Sequence, residues 1–407
     1  MVGGLKRFLW HNVPIPGCLR RRVEEYYLYP RLPRPKASLR TGRGNVFVAG
    51  CLQSGLGLGE AARLSVQALR EQGVSLQCHD LSRFFGILDL PNPDFADTDS
   101  GEGDGVLLLH MNAPETGRAL KHLGTDTYDR RHVIGYWAWE LENAQPHWRR
   151  AYQYLDELWV PTAHAAKAFS DCPVPVNVVP YPVREPASKG LGREAFGLDD
   201  REVVFLCMGD SRSDFERKNL PGTIRAFKKA FAGNDSVRLV VKVHHEQEDS
   251  PAMQRMRAES VGCNVSFMAE MLERGAVGDL LRACDVFVSL HRAEGFGLPM
   301  AEAMWLGKPV VATNYSGNVD FMTTACSMPV EYRLVPVQNC SRNYAEVPDA
   351  HWAEPDIDHA ARCMQKLAES DDMRRSMGEA GRQQAASFFS PARFAENFTQ
   401  FFEYEHF

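Results

Sequence analysis

The sequence predicts an α/β protein with two parallel-sheet, Rossmann-like domains facing a central cleft. Three observations predict it. Short apolar runs alternate with amphipathic stretches along most of the 407 residues, the pattern of strand–helix–strand units in a parallel sheet. At roughly 100–200 residues per domain, a chain of this length suits two. The alternation is interrupted over 180–200, PYPVREPASKGLGREAFGLDD, whose Pro, Gly and charge read as an interdomain linker. Open α/β sheets bind ligands beyond the carboxyl ends of their strands, so two sheets joined this way place a cleft between them.

The elements follow in order. Residues 1–44 carry ten Lys/Arg and two Glu, a balance of +8 that leaves −14 for the rest of a chain of net charge −6. With its Phe, Trp and Tyr, this basic arm suits peripheral contact with an anionic membrane surface; the plainer reading is a solvated or docked arm. An N-terminal domain spans 45–185, with strands at 46–50, 74–80, 104–112, 132–140 and 156–162 and a helix at 60–73. A C-terminal domain spans 200–388. Its strands are expected at 202–210, 237–245, 264–268 and 285–291, its helices at 219–232, near 276–283 and over 355–387. An aromatic-rich helix at about 390–407 closes the chain.

Composition excludes several classes. No apolar run approaches the roughly 18 residues of a membrane span, and the N-terminus lacks the apolar core of a signal peptide. The ten cysteines are scattered without metal-like spacing, which suits reduced thiols in the cytoplasm. Nucleic acid is not an expected partner, because the acidic remainder would repel phosphate. The DTD at 97–99 lies in an acidic loop and fails the calcium-loop pattern.

The most informative stretch is HRAEGFGLPMAEAMWLGKPVVAT, His291 to Thr313. Glu294 sits on the loop after a buried strand. Gly295 and Gly297 allow close backbone approach, Pro299 suits a first helical position, Gly307 suits a helix stop, and Glu302 falls about one turn inside. Free N–H groups at that helix start form an anion site, flanked by two carboxylates able to accept hydrogen bonds from sugar hydroxyls. The plainer reading is a tight turn with two solvated glutamates. A second segment, DSRSDFERKN (210–219), brings Arg212, Arg217 and Lys218 to another helix start. A third, CLQSGLGLGEAAR (51–63), holds Gly57 and Gly59 after the first strand and fits a dinucleotide fingerprint poorly.

Taken together, these motifs resemble those of retaining glycosyltransferases of family GT4, which have the GT-B fold. The likeness is strong from about 205 to 315 and weaker in the N-terminal domain, and residues 1–44 have no counterpart. The resemblance implies a nucleotide-diphospho-sugar donor, bound by Glu294 at the sugar hydroxyls, Glu302 at the ribose, and Lys218 with Arg212 or Arg217 at the diphosphate. Gly295, Phe296, Gly297 and Leu298 would line the donor, with Gly57 and Gly59 facing its phosphates. It implies His110 as a catalytic, active-site residue near the donor sugar, with a satisfied core histidine as the plainer reading, and a C-terminal helix packed on the N-terminal domain. It implies no cofactor and no metal, the leaving diphosphate being neutralised by side chains and helix dipole. Trp139 and Glu140 are the candidate acceptor contacts, with tryptophan at alternate positions as often core as groove.

The expected acceptor is a glycan or lipid-linked sugar of a bacterial surface polysaccharide or lipopolysaccharide, handled in the cytoplasm or at the inner membrane face. GDP-mannose is the first expectation for the donor and a UDP-sugar the second. A nucleotide-sugar epimerase of the same fold and a non-catalytic sugar-nucleotide-binding protein are the alternatives.

Overall fold

A computed structural model describes Tyr26 and residues 29–35, 45–89, 92–95, 104–211, 213–337, 344 and 347–401. Most of the basic arm, Arg212 and the DTD triplet lie outside the described residues. Two six-stranded sheets form the frame. The first contains β1 (Asn45–Gly50), β2 (Leu76–Asp80), β3 (Gly105–His110), β4 (Arg131–Tyr136), β5 (Glu157–Val160) and β6 (Val176–Val178). Their order is β2-β1-β3-β4-β5-β6, every pairing parallel. The second contains β7 (Val203–Asp210), β8 (Val237–His244), β9 (Val265–Met268), β10 (Val286–Ser289), β11 (Val310–Thr313) and β12 (Ser327–Val330). Its order is β12-β11-β10-β7-β8-β9, again all parallel. A small antiparallel hairpin, β13 (Tyr332–Pro336) with β14 (His351–Pro355), is appended.

The helices used below are α1 (Gly57–Glu71), α2 (Ala113–Leu123), α3 (Phe215–Lys218), α4 (Leu220–Phe231), α5 (Arg274–Ala283), α6 (Leu298–Trp305), α7 (Ile357–Glu369), α8 (Asp371–Phe388) and α9 (Pro391–Glu396). Strands buried on both faces read as continuous apolar runs. Along β1, Val46 and Val48 enter the core beneath α1, while Phe47 and Ala49 enter the core on the other face.

The described segments around Tyr29 and around Phe398 both pack on the first sheet. The Tyr29 hydroxyl donates to the Ala113 carbonyl (3.1 Å) and accepts the Gly117 N–H (3.2 Å) on α2. The Tyr154 hydroxyl reaches the carbonyls of Tyr29 and Leu32. Phe394 of α9 and Phe398 just beyond it set their rings edge-on to Trp159, and Phe401 lies 4.9 Å from His132. Within the expected linker, the N–H groups of Lys189 and Leu191 donate to Asp279, and Arg193 pairs with Asp285. Its second half is thereby stitched to the second sheet's domain.

Several elements differ from expectation. The 355–387 region is two helices, because Ser370 ends one and caps the next by accepting the Met373 N–H (3.1 Å). The strand expected to run to residue 140 ends at Tyr136, so Trp139 and Glu140 stand on the loop beyond it. Strand β6, strand β12 and the hairpin are short or edge elements that apolar periodicity does not reveal.

Candidate functional site

The turn from β10 into α6 is held from three sides. The Glu294 N–H donates to Ser316 Oγ (2.8 Å), and the Gly317 N–H donates to the Glu294 carbonyl (2.9 Å). From the other domain, the buried Thr162 hydroxyl donates to the Gly295 carbonyl (2.9 Å). Gly297 has φ +105° and is the N-cap of α6, and no side chain caps that helix. A β-carbon at Gly297 would meet only the movable end of the Met300 side chain, so it is the backbone conformation that selects glycine. Helix α1 also starts without a side-chain cap. A β-carbon added at Gly57 would stand 3.9 Å from Leu298 Cδ1. Two helix N-termini, one from each domain, therefore approach each other without a side-chain cap; on α6 Pro299 has no N–H and the Met300 N–H is taken by the Gly297 carbonyl, which leaves the Leu298 N–H uncapped.

Beside them, Lys218 Nζ lies 2.5 Å from Glu294 Oε1 and Arg217 Nη1 3.2 Å from Glu294 Oε2. Arg217 also donates to the Ala293 carbonyl (2.8 Å) and Ser213 Oγ (3.1 Å), and stands 3.5 Å from Glu140 across the domain boundary. Local sequence delivers these cations. Asp214 caps α3 by accepting the Arg217 N–H, and Asn219, at φ +51°, caps α4 by accepting the Gly222 N–H. Back-to-back caps fix residues 217 and 218 at a sharp corner. Burial would raise the Glu294 carboxyl, but the charges of Lys218 and Arg217 outweigh it and hold it down at about 2. Burial would lower the Arg217 guanidinium, yet Tyr344, Glu140 and Glu294 around it raise it.

Glu302 forms a second cluster. Arg274, at the start of α5, pairs with Glu302 Oε1 and also with Glu60 Oε1 of α1 (3.2 Å). Arg63 completes the set, 2.5 Å from Glu60 Oε2. Burial raises the Glu302 carboxyl against the pull of Arg274, and the two glutamates raise Arg274 above its ordinary range although burial alone would lower it.

The remaining expected residues sit as follows. Gly59 is buried, and a β-carbon there would lie 2.5 Å from the Cys51 carbonyl. Phe296 turns into the core against Tyr181 and Phe321. His110 is fully buried with its ring centroid 4.7 Å from that of Tyr136, and neither ring nitrogen has a hydrogen-bond partner among the described residues. Burial pushes it down to about 3, so it is neutral at ordinary pH. Trp139 is also buried, its indole against Trp148 and Tyr344 and its N–H donated to the Asn143 carbonyl; its face is covered rather than open to a sugar. Glu140 keeps a partly exposed carboxylate. A groove of about 550 Å³ opens elsewhere, lined by Glu157, Trp159, Asn177 and Asn397, away from both clusters. Among the described residues no three His, Cys, Asp or Glu converge as a metal site, and no helix is long and apolar enough to cross a membrane.

Sequence reasoning missed Arg274, Glu60, Thr162 and Ser316. Arg274 and Glu60 are 214 residues apart, and no motif links them. Ser316, at φ +71° without being glycine, carries no local signal either.

The paired parallel-sheet domains match GT-B glycosyltransferase structures. Anabaena HepE in complex with UDP-glucose superposes with a TM-score of 0.60 at 13% identity, covering 88% of this chain and 98% of HepE. Residues 191–325 match the family "Glycosyl transferases group 1", a stretch that includes the β10–α6 turn and its cations. Mannosyltransferases are similar at low identity. The human alpha-1,3/1,6-mannosyltransferase ALG2 is 25% identical over 165 residues, 40% of this chain and 33% of ALG2. A GDP-mannose-dependent monoacylated alpha-(1-6)-phosphatidylinositol monomannoside mannosyltransferase of Corynebacterium glutamicum is 25% identical over 244 residues, 58% of this chain and 56% of that enzyme. The chain thus spans between a third and somewhat over half of the length of these curated relatives.

Proposed function

We propose that this protein is a retaining, metal-independent glycosyltransferase that moves a sugar, mannose from GDP-mannose in the first instance, from a nucleotide-diphospho-sugar to a glycan or lipid-linked acceptor. The observation that carries the reading is the Glu294–Lys218–Arg217 cluster beside two uncapped helix starts from opposite domains. An ionised carboxylate next to fixed cations and free N–H groups suits a ligand with both sugar hydroxyls and a diphosphate.

In this reading Glu294 accepts hydrogen bonds from the donor sugar, Glu302 from the ribose, and Lys218 with Arg217 and the α1 and α6 N-termini neutralises the diphosphate as it leaves. The acceptor hydroxyl attacks the anomeric carbon from the face the phosphate departs. The carbon–oxygen bond to phosphate breaks, the new glycosidic bond forms, and the hydroxyl proton passes to the departing phosphate oxygen. No protein nucleophile is needed, and stabilisation falls on preorganised charge. Glu140 stands on the acceptor side, and His110 forms a neutral wall behind the donor sugar. Two similar mannosyltransferases, one of them named for GDP-mannose, support the donor preference; a UDP-sugar is the other arm of the test. Bacterial surface polysaccharide or lipopolysaccharide is the proposed destination, with the basic arm at the cytoplasmic membrane face.

The experiment is incubation of the full chain with GDP-mannose or UDP-glucose and a bacterial membrane lipid extract. Anomeric configuration of the product is then read by NMR. Transfer with retention supports the reading. Donor turnover without acceptor, or inversion, overturns it.

A further inference from the structure

The Arg274 cluster bridges the two domains in a way the donor-site reading does not require. Arg274 lies in the second domain, as does Glu302, but Glu60 belongs to α1 of the first. Arg274 Nη1 stands 3.4 Å from Glu302 Oε2 while Nη2 takes Oε1, and Nε is 3.2 Å from Glu60 Oε1. The chain of contacts continues past Glu60. Arg63 Nε and Nη2 take Glu60 Oε2, and Arg63 Nη1 donates to the carbonyls of Leu52 and Ser54 at 2.8 Å each. Those carbonyls belong to the glycine-bearing loop that feeds α1, opposite the start of α6. One continuous path of hydrogen bonds and ion pairs therefore runs from that loop through Arg63, Glu60 and Arg274 to Glu302.

The geometry assigns to Arg274 a positioning role. It holds the Glu302 carboxylate in the orientation offered to the donor ribose, and Glu60 of the opposite domain holds Arg274. This rests on the reading of Glu302 as the ribose contact and adds a determinant from the other domain. A guanidinium fork matches a carboxylate plane with two parallel bonds. In this arrangement both glutamates draw on one guanidinium, so loss of Glu60 frees Arg274 to swing about Glu302. Coupling carried this way requires a contiguous set of groups, and the contacts above supply it. The consequence is that recognition of ribose hydroxyls depends on a residue that never touches the nucleotide.

The test uses the full chain and calorimetric titration with GDP and 2′,3′-dideoxy-GDP, and with UDP and its dideoxy analogue. The variants are Arg274→Gln, Arg274→Lys and Glu60→Gln. A hydrogen bond to a charged acceptor corresponds to about 10- to 100-fold in affinity, so the unsubstituted protein is expected to favour the ribonucleotide by that factor. Arg274→Gln is expected to reduce the preference to within about 2-fold, because an unanchored carboxylate no longer pays the ordering entropy in advance. Glu60→Gln is expected to reduce it at least 3-fold. Arg274→Lys, which lacks the fork, is expected to restore less than half of it. A variant merely less stable loses affinity for both nucleotides equally, so the ratio separates positioning from folding. Unchanged discrimination in Glu60→Gln, with normal discrimination in the parent, overturns the inference alone. Binding without any ribose preference in the parent overturns the assignment of Glu302 as well. No binding of either ribonucleotide overturns the donor-site reading and the inference together.

Discussion

Lys218 Nζ lies 2.5 Å from Glu294 Oε1 across 76 positions of sequence. Lys218 ends α3 and Glu294 stands in the turn before α6, so the pair joins the two strand-to-helix corners of the second sheet that carry cation and carboxylate. Arg217 reaches the other Glu294 oxygen, leaving the carboxylate clamped at a fixed angle beside the α6 N-terminus.

Removal of Lys218 is expected to separate chemistry from folding. Losing a fixed cation at a developing charge costs about 10²–10³ in kcat. Lys218→Ala should therefore lose transfer by that order while Arg217 still pairs with Glu294 and preserves the fold. Lys218→Arg should fail to restore activity, since a planar fork does not replace a compact ammonium. Steady-state kinetics beside urea unfolding checks this.

Acid should weaken the fold partly through Glu294. Its carboxyl is held at about 2 in the folded protein against an ordinary 4.5, so the folded state favours the ionised form. That contribution, on the order of 3 kcal/mol, is fully present above the ordinary value and is lost as pH falls from 4.5 towards 2. Urea unfolding of the parent and Glu294→Gln at pH 7, 4 and 3 should show the stability gap closing with acid. A gap independent of pH would show that the carboxyl is not held down.

Gly297→Ala should be destabilising and should weaken nucleotide binding. Its φ of +105° brings a left-handed backbone penalty of about 1–2 kcal/mol at the α6 start. Thermal unfolding and GDP titration are the measurements. Gly262→Ala, at φ +86° with nothing nearby, is the control, losing stability without losing affinity.

The C-terminal aromatic segment, in which helix α9 ends at Glu396 and a short turn carries Phe398 and Phe401 onward, should act as part of the first domain. Phe398 is fully buried, its ring centroid 5.1 Å from that of Trp159. Phe398→Ala should cost about 3–5 kcal/mol, read by denaturant unfolding with Trp fluorescence as the probe.

Much of this was legible in the sequence, for identifiable reasons. The central strands bury both faces and so appear as apolar runs, as β1, β3, β7 and β8 do. The β10–α6 turn was legible because Gly297 and Pro299 are needed locally, and Glu294 and Glu302 are placed by that turn. The corner at Lys218 was partly legible in the same way. What escaped depends on tertiary meetings. Arg274 finds Glu60 only because two sheets face each other, and Thr162 finds Gly295 for the same reason. Trp139 shows the converse case. An alternating tryptophan fits a groove or a core equally from sequence, and only the packing of Trp148 and Tyr344 shows its face covered. Strand β6 and the β13–β14 hairpin lie at edges, where half-polar residues blur the period.

The central claim is that Glu294 and Lys218 form a site for a nucleotide-diphospho-sugar. Its most direct test is calorimetric titration of the full chain, and of Lys218→Ala, with GDP-mannose and UDP-glucose. The account predicts saturable binding of at least one donor, weakened by about 10-fold or more in Lys218→Ala, as expected when a charge-assisted contact to phosphate is lost. Absence of binding to both donors, or equal affinity in Lys218→Ala, would contradict it.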